Sequence, residues 1–177
     1  MGRSLRLLTE DVEGLKEELS ELQVCDIFTF GDYYGPIEWR VLYNNHGHLL
    51  AISKDCLERI PFDVDGKDDW ETSSLKNWLN NTFYNNAFDS EEKSLIENTS
   101  FGKVFCLSED EAETYFYNRD DRISKEKGGY TRDWWLRSSR KAFKSDIVAA
   151  VGSNGSIYGE YADFNKVFVR PVIKLKI

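Results

Sequence analysis

The stretch Trp134-Trp135-Leu136-Arg137-Ser138, followed by Asn154-Gly155 and then by Val169-Arg170-Pro171-Val172, decides the fold of this chain. Two adjacent tryptophans beside an arginine form a highly specified packing element. Each buried indole N–H requires an acceptor, and a buried arginine requires a carboxylate or backbone carbonyls. Trp134 to Arg137, Ile147 to Val151, Ser156 to Gly159 and Val167 to Leu175 read as strands. Asn154-Gly155 reads as a two-residue type I′ turn, because both of its central positions need positive φ. Trp134-Trp135-Leu136-Arg137 and Arg170-Pro171 act as a structural frame. Between them lies a polar and aromatic insert, a contrast that points to recognition rather than catalysis.

Upstream the pattern is mixed. Ile27 to Phe30, Ile37 to Tyr43 and Leu49 to Ser53 alternate with period two and are separated by turns rich in Gly and Asn, which gives an antiparallel meander. Residues 72–86 read as a helix with Trp78, Leu79 and Phe83 on one face, capped by Thr72 or Ser73. A short helix opens at Ser90, and Val104 to Leu107 is a strand. Ser108-Glu109-Asp110-Glu111 is a capping box that starts a helix running to about Tyr117. Residues 118–132 are polar, contain Gly128-Gly129 and read as a loop. The fold class is therefore α+β, with a short antiparallel sheet, flanking helices and long loops.

Residues 4–23 place Leu5, Leu8, Val12, Leu15, Leu19 and Leu22 three or four apart, an a/d seam of nearly three heptads. One helix over this range forms either a coiled coil that makes the chain a homo-oligomer or a helix docked on its own domain. Gly14 weakens it by about 1 kcal/mol relative to alanine. The division expected is an N-terminal heptad helix over 1–25 and a ligand-binding domain over 26–177.

The totals bound the function. Net charge is −8, which argues against a general nucleic-acid binder. Residues 134–177 nevertheless hold eight Lys or Arg against three Asp or Glu, a balance of +5 that leaves −13 on the remainder. That asymmetry suits an anionic or hydrogen-bonding ligand at the basic end, or is ordinary surface charge. No run of about 18 apolar residues implies a membrane span, and no apolar leader segment is visible. Cys25, Cys56 and Cys106 are odd in number and widely spaced, so they read as free thiols, a weak pointer to the cytoplasm; localisation otherwise stays open.

No metal or cofactor is expected. His46 and His48 sit in a hairpin turn and read as solvated. Asp63 to Asp69 resembles a calcium loop, but its glycine and its missing bidentate glutamate are misplaced for one, and a solvated acidic loop is the better reading. Ser138-Ser139-Arg140-Lys141 contains Ser-x-x-Lys without its companion motifs.

The landmarks run in order: Phe30-Gly31, Ile37 to Leu42, Leu50 to Ser53, Trp70-Glu71-Thr72-Ser73-Ser74-Leu75-Lys76-Asn77-Trp78-Leu79-Asn80, Ala87-Phe88, Phe105 to Ser108, Trp134 to Ser138 and Val169-Arg170-Pro171. Over about residues 26–177 this resembles a bacterial domain family of unknown function that ends in a WWLRS…VRP pattern. That family is similar to C-type-lectin-like, formylglycine-generating-enzyme-like domains and to the variable proteins of diversity-generating retroelements. The resemblance implies a stiff scaffold that displays a binding surface from its last strands and loops. The ligand-binding residues expected are Arg140, Lys141, Phe143, Lys144, Asp146, Asn154, Tyr158, Glu160, Tyr161, Asp163, Phe164 and Asn165. Tyr and Phe supply contact area at low entropic cost, and Asn and Asp adapt their hydrogen bonds. The same residues also fit an ordinary polar loop system. The enzyme branch of the fold uses cysteines late in the chain, and none follows Cys106. The expected function is non-enzymatic binding of a protein or other macromolecule. The alternative is a structural or assembly module of a phage-derived or cell-envelope complex.

Overall fold

The computed structural model describes residues 2–5, 11–141 and 146–177. The chain opens with β1 (Ser4–Leu5), α1 (Val12–Ser20), β2 (Ile27–Asp32), β3 (Pro36–Asn45), β4 (His48–Ser53) and β5 (Glu58–Arg59). It continues through α2 (Ser74–Trp78), α3 (Tyr84–Ala87), α4 (Ser90–Leu95), β6 (Val104–Phe105) and α5 (Glu109–Tyr115). The last third is β-rich: β7 (Ser124–Lys125), β8 (Thr131–Arg132), β9 (Trp134–Ser139), β10 (Ile147–Val151), β11 (Ile157–Tyr161), β12 (Phe168–Val169) and β13 (Val172–Lys176). The α+β class holds. The residues pack as two units, one of Met1–Lys54, Asn80–Val104 and Val172–Ile177, the other of Asp55–Leu79 and Phe105–Pro171.

The first unit is built on a sheet ordered β1-β2-β3-β4-β13-β6, to which it contributes Val104 of β6. The period-two alternation of β2 and β3 buries Phe28, Phe30, Ile37, Trp39 and Val41. These meet an aromatic cluster in which Phe88 lies 5.7 Å from Phe30, 5.8 Å from Phe83 and 6.2 Å from Trp39. The Trp39 indole N–H donates to the Phe30 carbonyl at 2.6 Å. The β3–β4 turn is His46-Gly47, with φ of 53° and 78°, the type I′ pattern that Asn154-Gly155 was expected to supply.

The N-terminal segment departs from one helix over 4–23. Ser4–Leu5 is a strand parallel to Ile27-Phe28, and the helix spans only Val12–Ser20. Residues 6–10, Leu8 among them, lie outside the described residues. Leu15, Leu19 and Leu22 are buried, α1 packs with α4, and the Asn44 amide caps the helix end by donating to the Leu19 and Leu22 carbonyls at 2.9 Å each. This part of the leucine stripe is used inside the first unit, which leaves little of it for a coiled-coil seam.

Asp26 anchors the same corner. Only 3% exposed, it accepts from Arg3 Nη2 at 2.8 Å, from the Arg3 backbone N–H at 2.8 Å and from Gln23 N–H at 3.0 Å. The bond from the Arg3 guanidinium, with the two backbone bonds, outweighs burial and holds the carboxyl at about 2. A carboxyl held below its unfolded value stabilises fully above that value, and the benefit fades as pH falls towards about 2. Asp26→Asn is therefore expected to cost about 1–3 kcal/mol at neutral pH. Urea midpoints should show that difference shrinking on acidification.

Residues 72–86 do not form one helix. A 3₁₀ turn at Trp70–Thr72 leads into α2, and a π turn at Leu79–Phe83 precedes α3. Asn80 explains the break: its side-chain oxygen accepts from Lys103 N–H at 2.7 Å, and its amide donates to the Val104 carbonyl at 2.9 Å. The cap of α4 is Asp89 rather than Ser90, in a capping box closed by Glu92.

Candidate functional site

In the second unit the sheet runs β11-β10-β9-β12-β5, antiparallel throughout except for β9 with β12. Trp134 and Trp135 are fully buried. Trp134 donates to the Arg122 carbonyl at 3.0 Å, and Trp135 donates to the Ile60 carbonyl at 2.8 Å. Phe62 packs edge-on against Trp135 at 5.8 Å, and Phe116 packs against Trp134 at 6.4 Å. Arg170, 3% exposed, sets its guanidinium 4.9 Å from the Trp134 ring centre and 5.3 Å from that of Phe116.

Arg137 closes the other side of the frame. It reaches Glu111 with two bonds, 2.5 and 2.8 Å, and donates to the Cys106 carbonyl at 2.8 Å. Glu111 is also the returning half of the Ser108 capping box, accepting from Ser108 N–H at 2.8 Å. Burial pushes the Glu111 carboxyl up, but the bonds from Arg137 and Ser108 more than offset this and leave it below the ordinary range. β9 thus fixes α5 through one charge-assisted clamp.

The β10–β11 hairpin carries most of the expected site. Its turn is not the two-residue type expected. Gly152 N–H donates to the Ser156 carbonyl at 2.7 Å, and Gly155 N–H donates to the Gly152 carbonyl at 2.7 Å, so three residues form the loop. Only Gly155 has positive φ, at 79°. A Cβ there would lie 2.1 Å from the Arg119 carbonyl oxygen, so this position requires glycine on steric as well as backbone grounds. Arg119 and Arg122 hold the turn by donating to the Asn154 and Gly155 carbonyls at 2.8 and 2.9 Å. Asp133 ties it down further, accepting from Ser153 N–H and from the Tyr158 hydroxyl at 2.7 Å each.

The expected site residues divide by position. Asn154 and Tyr158 stand at the turn end of the hairpin. Tyr158 is half-buried, and burial followed by its bond to Asp133 pushes its hydroxyl pKa well up. It braces the hairpin, and Tyr158→Phe is expected to cost about 1 kcal/mol of folding stability in denaturant titrations. Arg140 makes a bidentate pair with Glu109, its Nε at 3.1 Å, and the exposed Lys141 lies 3.7 Å from Asp68. Asp146 is exposed at φ 68°, and Phe143 and Lys144 lie outside the described residues. At the far end of β11, Glu160 accepts from Tyr161 N–H at 2.8 Å, and Tyr161, Asp163, Phe164 and Asn165 are all exposed.

This last group is the concentrated patch. Tyr161 is 48% exposed and Phe164 38%, on a turn closed by Phe164 N–H to the Tyr161 carbonyl at 3.0 Å. The loop at Asp63–Gly66 adjoins it. Asp63 N–H donates to the Ala162 carbonyl at 3.0 Å, and Val64 beside it is 67% exposed. The rise of an extended chain, roughly 3.3 Å per residue, sets Asn154 about 20 Å from this patch.

The acidic segment Asp63 to Asp69 is not simply solvated. Asp63 is buried and accepts from Ser74 and Lys67 N–H at 2.9 and 3.0 Å. Asp68 is buried and accepts from the Ser139 hydroxyl, while Asp69 caps the 3₁₀ turn. His48 is partly exposed and also bonds Glu97 through Nδ1. Sequence reading missed Asp68, Glu109 and Asp133, since nothing local marks partners separated by 71, 31 and 25 residues. Among the described residues no group of three His, Cys, Asp or Glu is placed to hold a metal. Burial raises Cys56 to about 11 and Cys106 to about 12, so both are protonated thiols at neutral pH.

A family model described as a domain of unknown function (DUF6273) matches residues 46–104, a segment that ends before the tryptophan frame and the exposed patch. No curated protein and no solved structure matches the chain.

Proposed function

We propose that this chain is a non-enzymatic, receptor-type binding domain. Its recognition face is the turn from Tyr161 to Lys166 together with the adjoining Asp63–Gly66 loop. The observation that carries this reading is the exposure of Tyr161, Phe164 and Val64 on two loops bonded to each other and seated on a frame with both tryptophans buried. Rigid aromatic anchors with polar neighbours are the composition of recognition surfaces. The ligand is a protein or another macromolecular surface, since the patch mixes exposed aromatic and polar side chains. The burial of Cys56 and Cys106 as protonated thiols supports a role that does not use them as nucleophiles. The finer kinship, a C-type-lectin-like domain akin to retroelement-diversified variable proteins, is supported by the ordered landmarks from Phe30-Gly31 to Val169-Arg170-Pro171.

The test uses peptides selected on the full chain from a random display library. Affinity for the Tyr161→Ala/Phe164→Ala variant should fall by about tenfold or more, the scale of two hot-spot anchors. Selected peptides that bind the variant as well as the parent would refute the assignment.

A further inference from the structure

We propose that the hollow between the β2–β3 hairpin and the start of α4 binds a small polyammonium cation, an alkyl chain that carries two or more protonated amines. The hollow has a volume of about 690 Å³, in the range of small-ligand sites. Both of its walls belong to the first unit, one from the hairpin and one from residues 86–92. Gly31 brings the walls together. Its φ is 75°, and a Cβ there would lie 2.7 Å from the Ala87 carbonyl oxygen and 2.8 Å from the Phe88 ring, so the approach requires glycine. The Gly31 N–H donates to the Glu92 carboxylate at 2.6 Å, which ties the hairpin to α4.

Asp32, Asp89 and Glu92 line the hollow, and no Lys, Arg or His does. Their bonds go to neutral backbone donors. Asp32 accepts from Gly35 N–H at 3.0 Å, Asp89 from Glu92 N–H at 2.8 Å, and Glu92 from Gly31 and Asp89 N–H at 2.6 and 3.0 Å. Among the described residues none of the three enters an ion pair, so the carboxylates share one hollow without a counter-charge. Burial pushes the Glu92 carboxyl up, the backbone bonds oppose this, and the charges of Asp89 and Asp32 push it further up. A cation in the hollow relieves that repulsion. The carboxylates are not gathered to chelate a metal, since among the described residues no three His, Cys, Asp or Glu are placed to hold one. Charges set apart on the protein call for charges set apart on the ligand. The buried Phe30, Ala87 and Phe88 supply apolar lining for the methylene spacers between the amines. This site goes beyond the recognition reading above, whose residues lie in the second unit.

The experiment is calorimetric titration of the full chain with spermidine at low ionic strength, with amide chemical shifts of the ¹⁵N-labelled chain to place the site. Hexaamminecobalt(III), a compact cation of the same charge without methylene spacers, serves as the comparison. Spermidine should bind saturably at one per chain, with shifts centred on Gly31, Asp32 and Glu92, and the compact cation should bind about tenfold more weakly. Asp32→Asn/Asp89→Asn keeps the turn and cap acceptors, so it should fold as the parent does and bind spermidine about tenfold more weakly or worse. If that pair does not fold, Asp32→Asn alone decides, with an expected loss of about threefold or more. Asp110→Asn/Glu113→Gln removes two charges from α5 instead and should leave the affinity within about twofold. Four results overturn the proposal: no saturable binding of spermidine, equal binding of the compact cation, a loss in the α5 variant as large as in the deciding one, or shifts centred away from the hollow.

Discussion

Replacing Glu111 with alanine is expected to cost about 2–3 kcal/mol of folding stability, because it takes two carboxylate acceptors from a largely buried guanidinium that keeps its bond to the Cys106 carbonyl. The Arg137 side chain is 10% exposed and directs two bonds at the Glu111 carboxylate and one at the Cys106 carbonyl. Removing the carboxylate also opens the capping box of α5, since Ser108 N–H loses its acceptor. The paired loss is larger than a surface ion pair would give, where the median is about 0–1 kcal/mol. Glu111→Gln keeps a capping oxygen but not the charge, so it should fall between the parent and the alanine variant. Chemical denaturation of the three proteins at one ionic strength checks the order. Equal stability of parent and Glu111→Ala would mean that the clamp contributes nothing.

Trp135→Ala should be comparably damaging, at about 3–5 kcal/mol. The indole is fully buried, packs edge-on with Phe62 at 5.8 Å and donates at 2.8 Å to the Ile60 carbonyl. The substitution leaves a cavity and an orphaned carbonyl together. Trp135→Phe fills most of the space and loses only the N–H, so it should retain much of the stability. Thermal unfolding followed by far-UV circular dichroism separates the two. A Phe variant as unstable as the Ala variant would move the weight from packing to the hydrogen bond.

The hairpins were readable because strand alternation and burial share one period. Ile147 to Val151 came out residue for residue, and Ser108-x-x-Glu111 capped its helix as its spacing implied. Val167 to Leu175 divided into two strands because Pro171 has no N–H to continue a ladder. What stayed illegible depends on distant partners. The leucine stripe carries no mark of Asn44, which caps α1 from β3, and the 72–86 pattern carries none of the strand that recruits Asn80. The turn at Asn154-Gly155 matched a two-residue hairpin in composition, yet Asn154 folds its side chain onto Ser156 and a three-residue loop results. At the recognition face the aromatic residues were visible in the sequence. Its partner loop at Val64 was not, nor was the fact that Arg140 and Tyr158 already have acceptors on their own unit.

The most direct measurement is an amide chemical-shift map of the ¹⁵N-labelled chain titrated with a library-selected peptide. The recognition reading predicts the largest changes at residues 160–166 and 63–66, with the Trp134 and Trp135 indole signals unmoved. Changes centred instead on Gly31, Asp32 and Glu92, which line a hollow of about 690 Å³ in the first unit, would contradict it.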